Sequence, residues 1–298
     1  MARWDQDDSR KSIPDWFFRA IETDYVTDRV EVDDCDVVFQ RWGERHKPSV
    51  LWIHGMHAHS HWWDFIAPQL LPDYQVAAIN LTGMGDSDYR YQYRVETFAE
   101  EIKAVCDYCK FDQQVALVAH SFGGNVAIKS ANIYPDRFGS VILLDSGLRH
   151  PDEIIPERPD MGGRRAKIYP DKKTALGRFR LQPPQDCSNL YILEYIARNS
   201  LMQIEGGWAW KFDEDLLESM ADIERSTADY ENLTLPVGLI YGENSELFSS
   251  RSEEYMRTLV GEDLVATALK DAQHHLFLDQ PITFLQELKK ILIQLRNL

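Results

Sequence analysis

Short apolar runs alternate along this chain with stretches in which apolar residues recur every three or four positions. The short runs are typical of strands buried on both faces of a sheet, and the second pattern is typical of amphipathic helices. Eight strands are predicted, at residues 30–32, 36–42, 49–54, 75–80, 115–120, 138–145, 237–241 and 264–269. The main helices are predicted at residues 62–71, 95–110, 250–260 and 282–295.

The alternation is interrupted once along the chain. Residues 146–235 are rich in proline, arginine and aromatic residues, and helical patterns occur there at 190–201 and 213–222. Strands that alternate with helices form a doubly wound, mostly parallel sheet, which is an α/β fold, and a long interrupting segment is typical of a lid. The predicted organisation is an N-terminal extension (1–28), an eight-stranded core (29–145 and 236–298) and a helical cap (146–235) inserted after the sixth strand.

Residues 115–124 carry the most specific chemical signal in the chain. An apolar strand pattern runs into Ser121, and a helical pattern follows it. A strand that turns sharply into a helix strains the backbone at the turn, so the residues two positions away must be small, as Ala119 and Gly123 are. Such a turn raises the serine hydroxyl above the sheet and places the next N–H at a helix N-terminus. Ser121 is therefore the predicted nucleophile.

Charge and composition exclude several classes of function. The formal net charge of −16 disfavours nucleic acids and anionic membranes as partners, because both bind cationic surfaces. No apolar run approaches the ~20 residues that span a bilayer, and the first residues lack a secretory apolar segment. Cys106 and Cys109 lie on the apolar stripe of a predicted helix, which indicates buried thiols rather than a metal or redox site. We expect a cytoplasmic monomer or homodimer that acts on a small molecule without a cofactor.

A serine nucleophile needs a base, an acid that orients the base, and N–H donors for the oxyanion. His274 lies in a loop after the last predicted strand, and the sequence His-Gly-Met at 54–56 follows the third strand. Together with the turn at Ser121 and the Asp-Gln-Pro sequence at 279–281, these motifs resemble the α/β-hydrolase superfamily, in particular its serine esterases with a helical cap. Ala119 replaces the first glycine of that family's Gly-x-Ser-x-Gly motif.

The resemblance implies roles for several residues. The catalytic histidine of the family lies five residues before the acidic residue of an acidic-x-Pro sequence, which indicates His274 rather than His275. The oxyanion hole is implied at the backbone N–H groups of Phe122 and Met56. Gly55 allows the close backbone approach that such a hole requires.

The acid that orients the histidine is harder to place. In the commonest arrangement of the family it follows the seventh strand, where this chain has Ser245. A serine cannot orient an imidazolium as a carboxylate does. Glu246 is the next residue, and Asp145 ends the sixth strand, which carries the acid in some families of this fold. We favour Asp145, with Ser245 as a hydrogen-bonding auxiliary and Glu246 as the alternative acid, although Asp145 could also only cap the turn after its strand.

The substrate pocket is predicted beside these motifs. Four histidines lie close together after the third strand: His54, His57, His59 and His61. No matching cysteine or acidic ligand accompanies them, so they favour pocket lining over a metal site. The predicted pocket residues are His54, His57, His120, Trp208 and Trp210. In the cap, Arg178 and Arg180 are expected to pair with acidic neighbours rather than with a substrate carboxylate.

The leading hypothesis is a serine hydrolase that cleaves a small or medium carboxylic ester, or a thioester or lactone, through an acyl-enzyme. Carbon–carbon bond hydrolases and cofactor-free haloperoxidases use the same three groups and stay open as alternatives. A dehalogenase or epoxide hydrolase of the usual kind would need an aspartate where Ser121 stands. A rival of another class is a non-catalytic ligand-binding protein that reuses a hydrolase fold.

Overall fold

One large sheet organises the computed structural model, which describes residues 13–112, 114–153, 168–220 and 226–298. The strands in the described residues are β1 (Val26–Val32), β2 (Cys35–Trp42), β3 (Ser49–Ile53), β4 (Gln75–Ile79), β5 (Val115–His120), β6 (Phe138–Leu144), β7 (Leu201–Ile204), β8 (Gly207–Trp210), β9 (Val237–Gly242) and β10 (Val265–Leu269). Eight of them form the sheet in the order β1-β2-β4-β3-β5-β6-β9-β10. The first two run antiparallel to their neighbours and the other six run parallel, which confirms the predicted α/β fold class.

Helices cover both faces of this sheet. In the described residues they are α1 (Asp15–Ile21), α2 (Val95–Tyr108), α3 (Phe122–Ile133), α4 (Lys172–Leu176), α5 (Leu190–Asn199), α6 (Leu216–Ser219), α7 (Thr227–Glu231), α8 (Ser250–Val260), α9 (Leu276–Asp279) and α10 (Pro281–Arg296). Successive side chains of β3 pack on opposite faces: Leu51 and Ile53 join one buried cluster with Phe98 of α2, and Trp52 joins the other with Phe284 of α10. Because both faces are covered, the strand is apolar at all four positions after Ser49 rather than at every second one.

The segment at 62–71 is not the single helix that its apolar spacing predicts. It forms two 3₁₀ turns, Ser60–Trp63 and Ala67–Leu70. Pro68 lacks the N–H that would continue an α-helix through this point. Large side chains such as Trp63, Phe65 and Ile66 are all fully buried, so their spacing reflects burial on all sides and not one amphipathic face.

The cap contains a β-hairpin that the sequence pattern did not predict. β7 and β8 pair antiparallel around a two-residue turn, in which Gly206 has a φ of +88°. A positive φ favours glycine in such a turn, and the Gly-Gly pair at 206–207 is the signal that could have indicated it. The helix predicted at 190–201 ends at Asn199, and of the helix predicted at 213–222 the described residues contain only α6. Residues 154–167 and 221–225 of the predicted cap lie outside the described residues.

The described part of the cap is attached to loops at the carboxyl ends of the strands. Gly85 N donates to Lys211 O at 2.8 Å, and Asp213 N donates to Gly83 O at 2.8 Å. Tyr195 of α5 donates its hydroxyl to the buried Asp64 carboxylate at 2.6 Å. Since the two glycines follow β4 and the aspartate follows β3, this segment covers the edge where sites form in such sheets.

The start of the chain packs on both the core and the cap from residue 13 onward. Phe17 of α1 is fully buried and contacts Phe65 and Tyr195. β1 begins at Val26, three residues before the predicted start of the core, and residues 1–12 of the predicted extension lie outside the described part. Among the helices that the structure describes, none has the length and apolar character to cross a membrane.

Candidate active site

Ser121 occupies a strained turn between β5 and α3. Its φ of 52° and ψ of −117° place the backbone in a region that L-residues rarely adopt. An added Cβ on Gly123 would lie 2.4 Å from His54 O, so only glycine fits there without a shift of the neighbouring strand. Ser121 N donates to Leu144 O at 3.1 Å, which fixes the turn to the end of β6. The structure therefore has the strained strand-to-helix turn that the sequence predicts at Ser121.

The structure brings the predicted base and the favoured acid into one hydrogen-bonded line with the serine. His274 Nδ1 donates to Asp145 Oδ2 at 2.6 Å, because a carboxylate can only accept. Its Nε2 is then left as an acceptor, and Ser121 Oγ donates to it at 3.0 Å. The side chains of His274 and Asp145 are 4% and 0% exposed, so this line is shielded from water. Such a line is the arrangement that activates a serine hydroxyl as a nucleophile.

Asp145 is held by donors from the end of β9 and from the loop that follows it. Gly242 N donates to its Oδ1 at 2.9 Å, and Ser245 Oγ donates to its Oδ2 at 2.7 Å. With the imidazole, the buried carboxylate receives three hydrogen bonds, which offset the loss of its hydration. Ser245 thus lies where the predicted auxiliary would lie. Glu246, the alternative acid, is exposed to solvent, and the place beside His274 Nδ1 is taken by Asp145.

The predicted oxyanion residues flank the serine. Phe122 is the first residue of α3, and the first N–H groups of a helix have no partner within it. Gly55 lies against the turn from the other side: an added Cβ there would be 3.0 Å from His120 Nδ1 and 3.4 Å from Ser121 Cβ. Met56 follows it and lines the same cavity as the serine. The arrangement suits two N–H donors that face one carbonyl oxygen.

A cavity of about 530 Å³ opens beside the serine, between the core loops and the cap. Of the predicted pocket residues, His57, His120 and Trp210 line it. The prediction for His54 is wrong because that side chain is fully buried between Gly55 O and the N–H of Leu81. The prediction for Trp208 is also wrong. This ring is next to the hairpin turn, where it packs with Tyr169 and under Lys172 Nζ.

Several lining residues were not predicted. They come from the cap and from the neighbourhood of the two active-site loops: Trp62, Tyr169, Phe179, Leu181, Leu217 and His275. His59, from the cluster of four histidines, and Phe212 also line the cavity. The dense aromatic and apolar sequence at 178–181 and 206–213 is the signal that could have indicated the cap residues. One contact joins the two parts of the lining: the ring of Phe212, from the cap, stacks on the ring of His57, from the core, with centroids 4.4 Å apart.

Burial keeps several histidines of the cavity lining in the neutral form. Burial lowers the pKa of His57 to about 4. Burial, together with the neighbouring His274, holds the pKa of His120 and of His275 well below the ordinary histidine value. These imidazoles are uncharged near pH 7 and can act as polar lining without competing as bases.

Charged side chains also line the cavity, and among them Arg178 and Arg180 are exposed to solvent. Lys211 is paired with Asp86 at 2.6 Å, and burial with its acidic neighbours raises the pKa of Glu214. Arg180 donates to backbone carbonyls within its own loop. Contrary to the expectation from sequence, neither Arg178 nor Arg180 has an acidic partner within the described ranges.

The histidines after β3 have separate partners. His59 Nε2 donates to Ser200 Oγ at 2.7 Å, and His61 Nδ1 lies 2.7 Å from Asp64 Oδ2. In the part of the chain that the structure describes, no group of three or more His, Cys, Asp or Glu side chains could hold a metal ion. Of the four histidines after β3, His57 and His59 line the cavity, and His54 and His61 make structural contacts.

Comparisons with known proteins agree with this fold. The family model described as the alpha/beta hydrolase fold matches residues 48–281. An esterase of Mycobacterium tuberculosis is 24% identical over 266 residues, which are 85% of this chain and 85% of that protein. Epoxide hydrolase 4 of Homo sapiens is 24% identical over 267 residues, 80% of this chain and 70% of that protein. The solved thioesterase domain from the curacin biosynthetic pathway superposes with a TM-score of 0.73 at 22% identity, covering 91% of this chain and 100% of that one. The family match spans most of the chain, and the chain is therefore a hydrolase of the alpha/beta hydrolase fold family.

Proposed function

We propose that this protein hydrolyses small or medium carboxylic esters through an acyl-enzyme on Ser121. The observation that carries the proposal is the hydrogen-bonded line from Ser121 through His274 to Asp145, which opens onto a mostly apolar cavity. The similarity to a mycobacterial esterase supports the same reaction class. A cavity of this size suits an acyl chain of small or medium length.

In the first half-reaction, Ser121 Oγ attacks the ester carbonyl while His274 Nε2 takes the hydroxyl proton. The carbonyl π electrons move to oxygen, and the resulting oxyanion accepts hydrogen bonds from the N–H groups of Phe122 and Met56. The C–O bond to the alcohol then breaks, and the imidazolium returns its proton to the departing alkoxide. The products are a free alcohol and an acyl-serine.

In the second half-reaction, a water molecule repeats the same sequence. His274 takes a proton from the water as its oxygen attacks the acyl-serine, and then returns a proton to Ser121 Oγ as the acid departs. Asp145 keeps the imidazole in the tautomer with its proton on Nδ1, so that Nε2 is free to act as the base. It also stabilises the positive charge that forms on the ring.

Two observations separate this proposal from its rivals. One human relative is named an epoxide hydrolase, and an epoxide hydrolase of the usual kind would need an aspartate where this chain has Ser121. The line of serine, histidine and carboxylate is complete, and a non-catalytic ligand-binding protein would have no need of it. Thioesters and lactones fit the same steps. Carbon–carbon bond hydrolases and cofactor-free haloperoxidases use the same three residues with other bonds broken or other co-reactants, and they stay open as alternatives.

A fluorophosphonate probe and a panel of p-nitrophenyl esters test the proposal together. We expect one covalent adduct per chain, mapped by peptide mass spectrometry to Ser121. In the panel we expect kcat/KM to be highest for short and medium acyl chains, and the chain length at which it falls reports the depth of the cavity beside Ser121. A protein that takes up no probe and hydrolyses no ester of the panel would be a non-catalytic binding protein. A labelled protein that hydrolyses only thioesters or lactones would change the substrate class and keep the nucleophile.

The two exposed arginines of the cavity lining give a prediction about the acyl group. We expect Arg178→Gln to raise KM for the p-nitrophenyl monoester of a dicarboxylic acid by roughly two- to fivefold, because exposed ion pairs contribute only ~0.2–1 kcal/mol. The neutral ester of the same length should keep its KM, and added salt should reduce the difference between the two substrates. Lys173→Gln removes the same charge from α4, outside the cavity lining, and serves as the control. Equal changes in KM for both esters would show that Arg178 does not recognise a carboxylate.

A further inference from the structure

The loop that carries His274 is held by hydrogen bonds on both sides of the catalytic residue. Gln273 N donates to Asp279 Oδ2 at 2.7 Å, and His275 N donates to Gln185 Oε1 at 2.8 Å. The carbonyl of His274 itself accepts from His120 Nε2 at 3.1 Å. Two of these three partners come from the core, and the third, Gln185, comes from the cap segment between α4 and α5.

Gln185 joins the two sides of that loop. Its amide oxygen accepts from both His275 N and His275 Nδ1 at 2.8 Å. Its amide nitrogen donates to both carboxylate oxygens of Asp279 at 3.1 Å. A backbone N–H requires an acceptor and a carboxylate requires a donor, so the partners fix which way the amide points. A glutamine supplies an acceptor and a donor at the same end of one side chain.

The consequence concerns the base of the proposed reaction. The imidazole of His274 must keep its place relative to Ser121 within a fraction of an ångström, since displacement by about 1 Å costs ~10²-fold in rate. The backbone on either side of it is set by Asp279 and by Gln185, and Gln185 also orients the Asp279 carboxylate. The cap at this edge is therefore part of the support of the base as well as a cover for the cavity.

We propose that Gln185 is a positioning residue, through which the docked cap holds His274 in line with Ser121 and Asp145. The inference rests on the proposed function, in which His274 is the base. Lifting the cap at this edge would break the bond to the His275 N–H and release one side of the catalytic loop.

The first test replaces Gln185 with leucine, which keeps the size and removes both hydrogen-bonding groups. We expect kcat for a p-nitrophenyl ester to fall roughly 10–100-fold with KM within about threefold of the parent, because the base is displaced and the cavity is not. Asn189→Ala is the matched control. Asn189 also ties the cap to the core, but it bonds the carbonyls of Leu278 and Asp279 rather than the groups beside His274. An unchanged kcat in Gln185→Leu, or an equal loss in Asn189→Ala, would overturn the proposal.

A measurement independent of catalysis separates this inference from the proposed function. Amide hydrogen exchange, read by mass spectrometry, should quicken in a peptide covering residues 270–276 in Gln185→Leu and stay close to the parent in Asn189→Ala, whose bonds go to carbonyls outside that peptide. This result is expected whether or not the protein hydrolyses esters. If the parent takes up no fluorophosphonate but the exchange changes as expected, the function fails and the positioning contact stands. If exchange is unchanged, the contact does not hold the loop.

A third test moves the negative charge from residue 279 to residue 185. It keeps the proposal testable even if Gln185→Leu does not fold. Gln185→Glu keeps the acceptor for the His275 N–H and places a second carboxylate against Asp279, so we expect a loss of kcat of similar size. In the double variant with Asp279→Asn, the new amide nitrogen at residue 279 can donate to the new carboxylate at residue 185. The amide oxygen at residue 279 can still accept from Gln273 N. The coupling is supported if kcat of the double variant is higher than the value expected when the effects of the two single substitutions on log kcat are added. Additive losses would contradict it.

Discussion

Ser121→Ala is expected to lower kcat for ester hydrolysis by roughly 10³- to 10⁶-fold and to leave KM nearly unchanged. The substitution removes the atom that forms the acyl bond, while the cavity, the oxyanion donors and the imidazole stay in place. Any residual turnover would come from water activated beside His274 in the same cavity. Steady-state kinetics with the best ester of the panel measure the effect, and binding of an uncleaved ester analogue measures whether the cavity is intact.

Ser130→Ala is a suitable control for this substitution. Ser130 lies in α3, nine residues after the nucleophile, and its hydroxyl is buried and bonds to the carbonyl of Val126. It removes the same oxygen from the same helix at a distance from the reaction. We expect its kcat to stay within about twofold of the parent, since nothing in the proposed mechanism uses that hydroxyl. A Ser121→Ala enzyme with full turnover would end the proposal of serine catalysis, because no other step depends so directly on one atom.

The parts of this fold that follow from local physics could be predicted from the sequence. Val50 to Ile53 alternate between two buried clusters, and a strand of that kind has to be apolar at every position. The turn at Ser121 was predictable because the strain it carries demands a small residue at Gly123, where a Cβ would meet His54 O. Both signals lie within a few residues of the feature they indicate.

The parts that depend on distant contacts could not be predicted in the same way. Gln185 is one polar residue in an irregular segment, and nothing beside it in the sequence indicates that it meets His275, 90 residues later. His54 was expected in the pocket because of its neighbours, yet its ring is satisfied by Gly55 O and the Leu81 N–H on the buried side. Local pattern fixes which residues approach the sheet edge, and the packing of the cap decides which of them reach the cavity.

The choice of acid leads to the second large expected effect. Asp145→Asn should lower kcat by roughly 10⁴-fold while the protein stays folded, because the amide is almost the same size and its oxygen can still accept from Gly242 N. The amide nitrogen would then face His274 Nδ1, which would have to become an acceptor. The ring proton would move to Nε2, and the base could no longer take the proton of Ser121. The measurement is kcat together with the rate of fluorophosphonate labelling, which should fall in parallel.

Glu246→Gln is the matched comparison for the acid, because it makes the same change from carboxylate to amide one residue beyond the place where the family usually carries the acid. Glu246 is exposed, so we expect kcat within about twofold and little change in the free energy of unfolding. The buried carboxylate of Asp145 already receives hydrogen bonds from His274, Ser245 and Gly242, which leaves no place at Nδ1 for a second acid. A severe loss in Glu246→Gln with an active Asp145→Asn enzyme would show that the loop after β9 rearranges when substrate binds and that the acid comes from there.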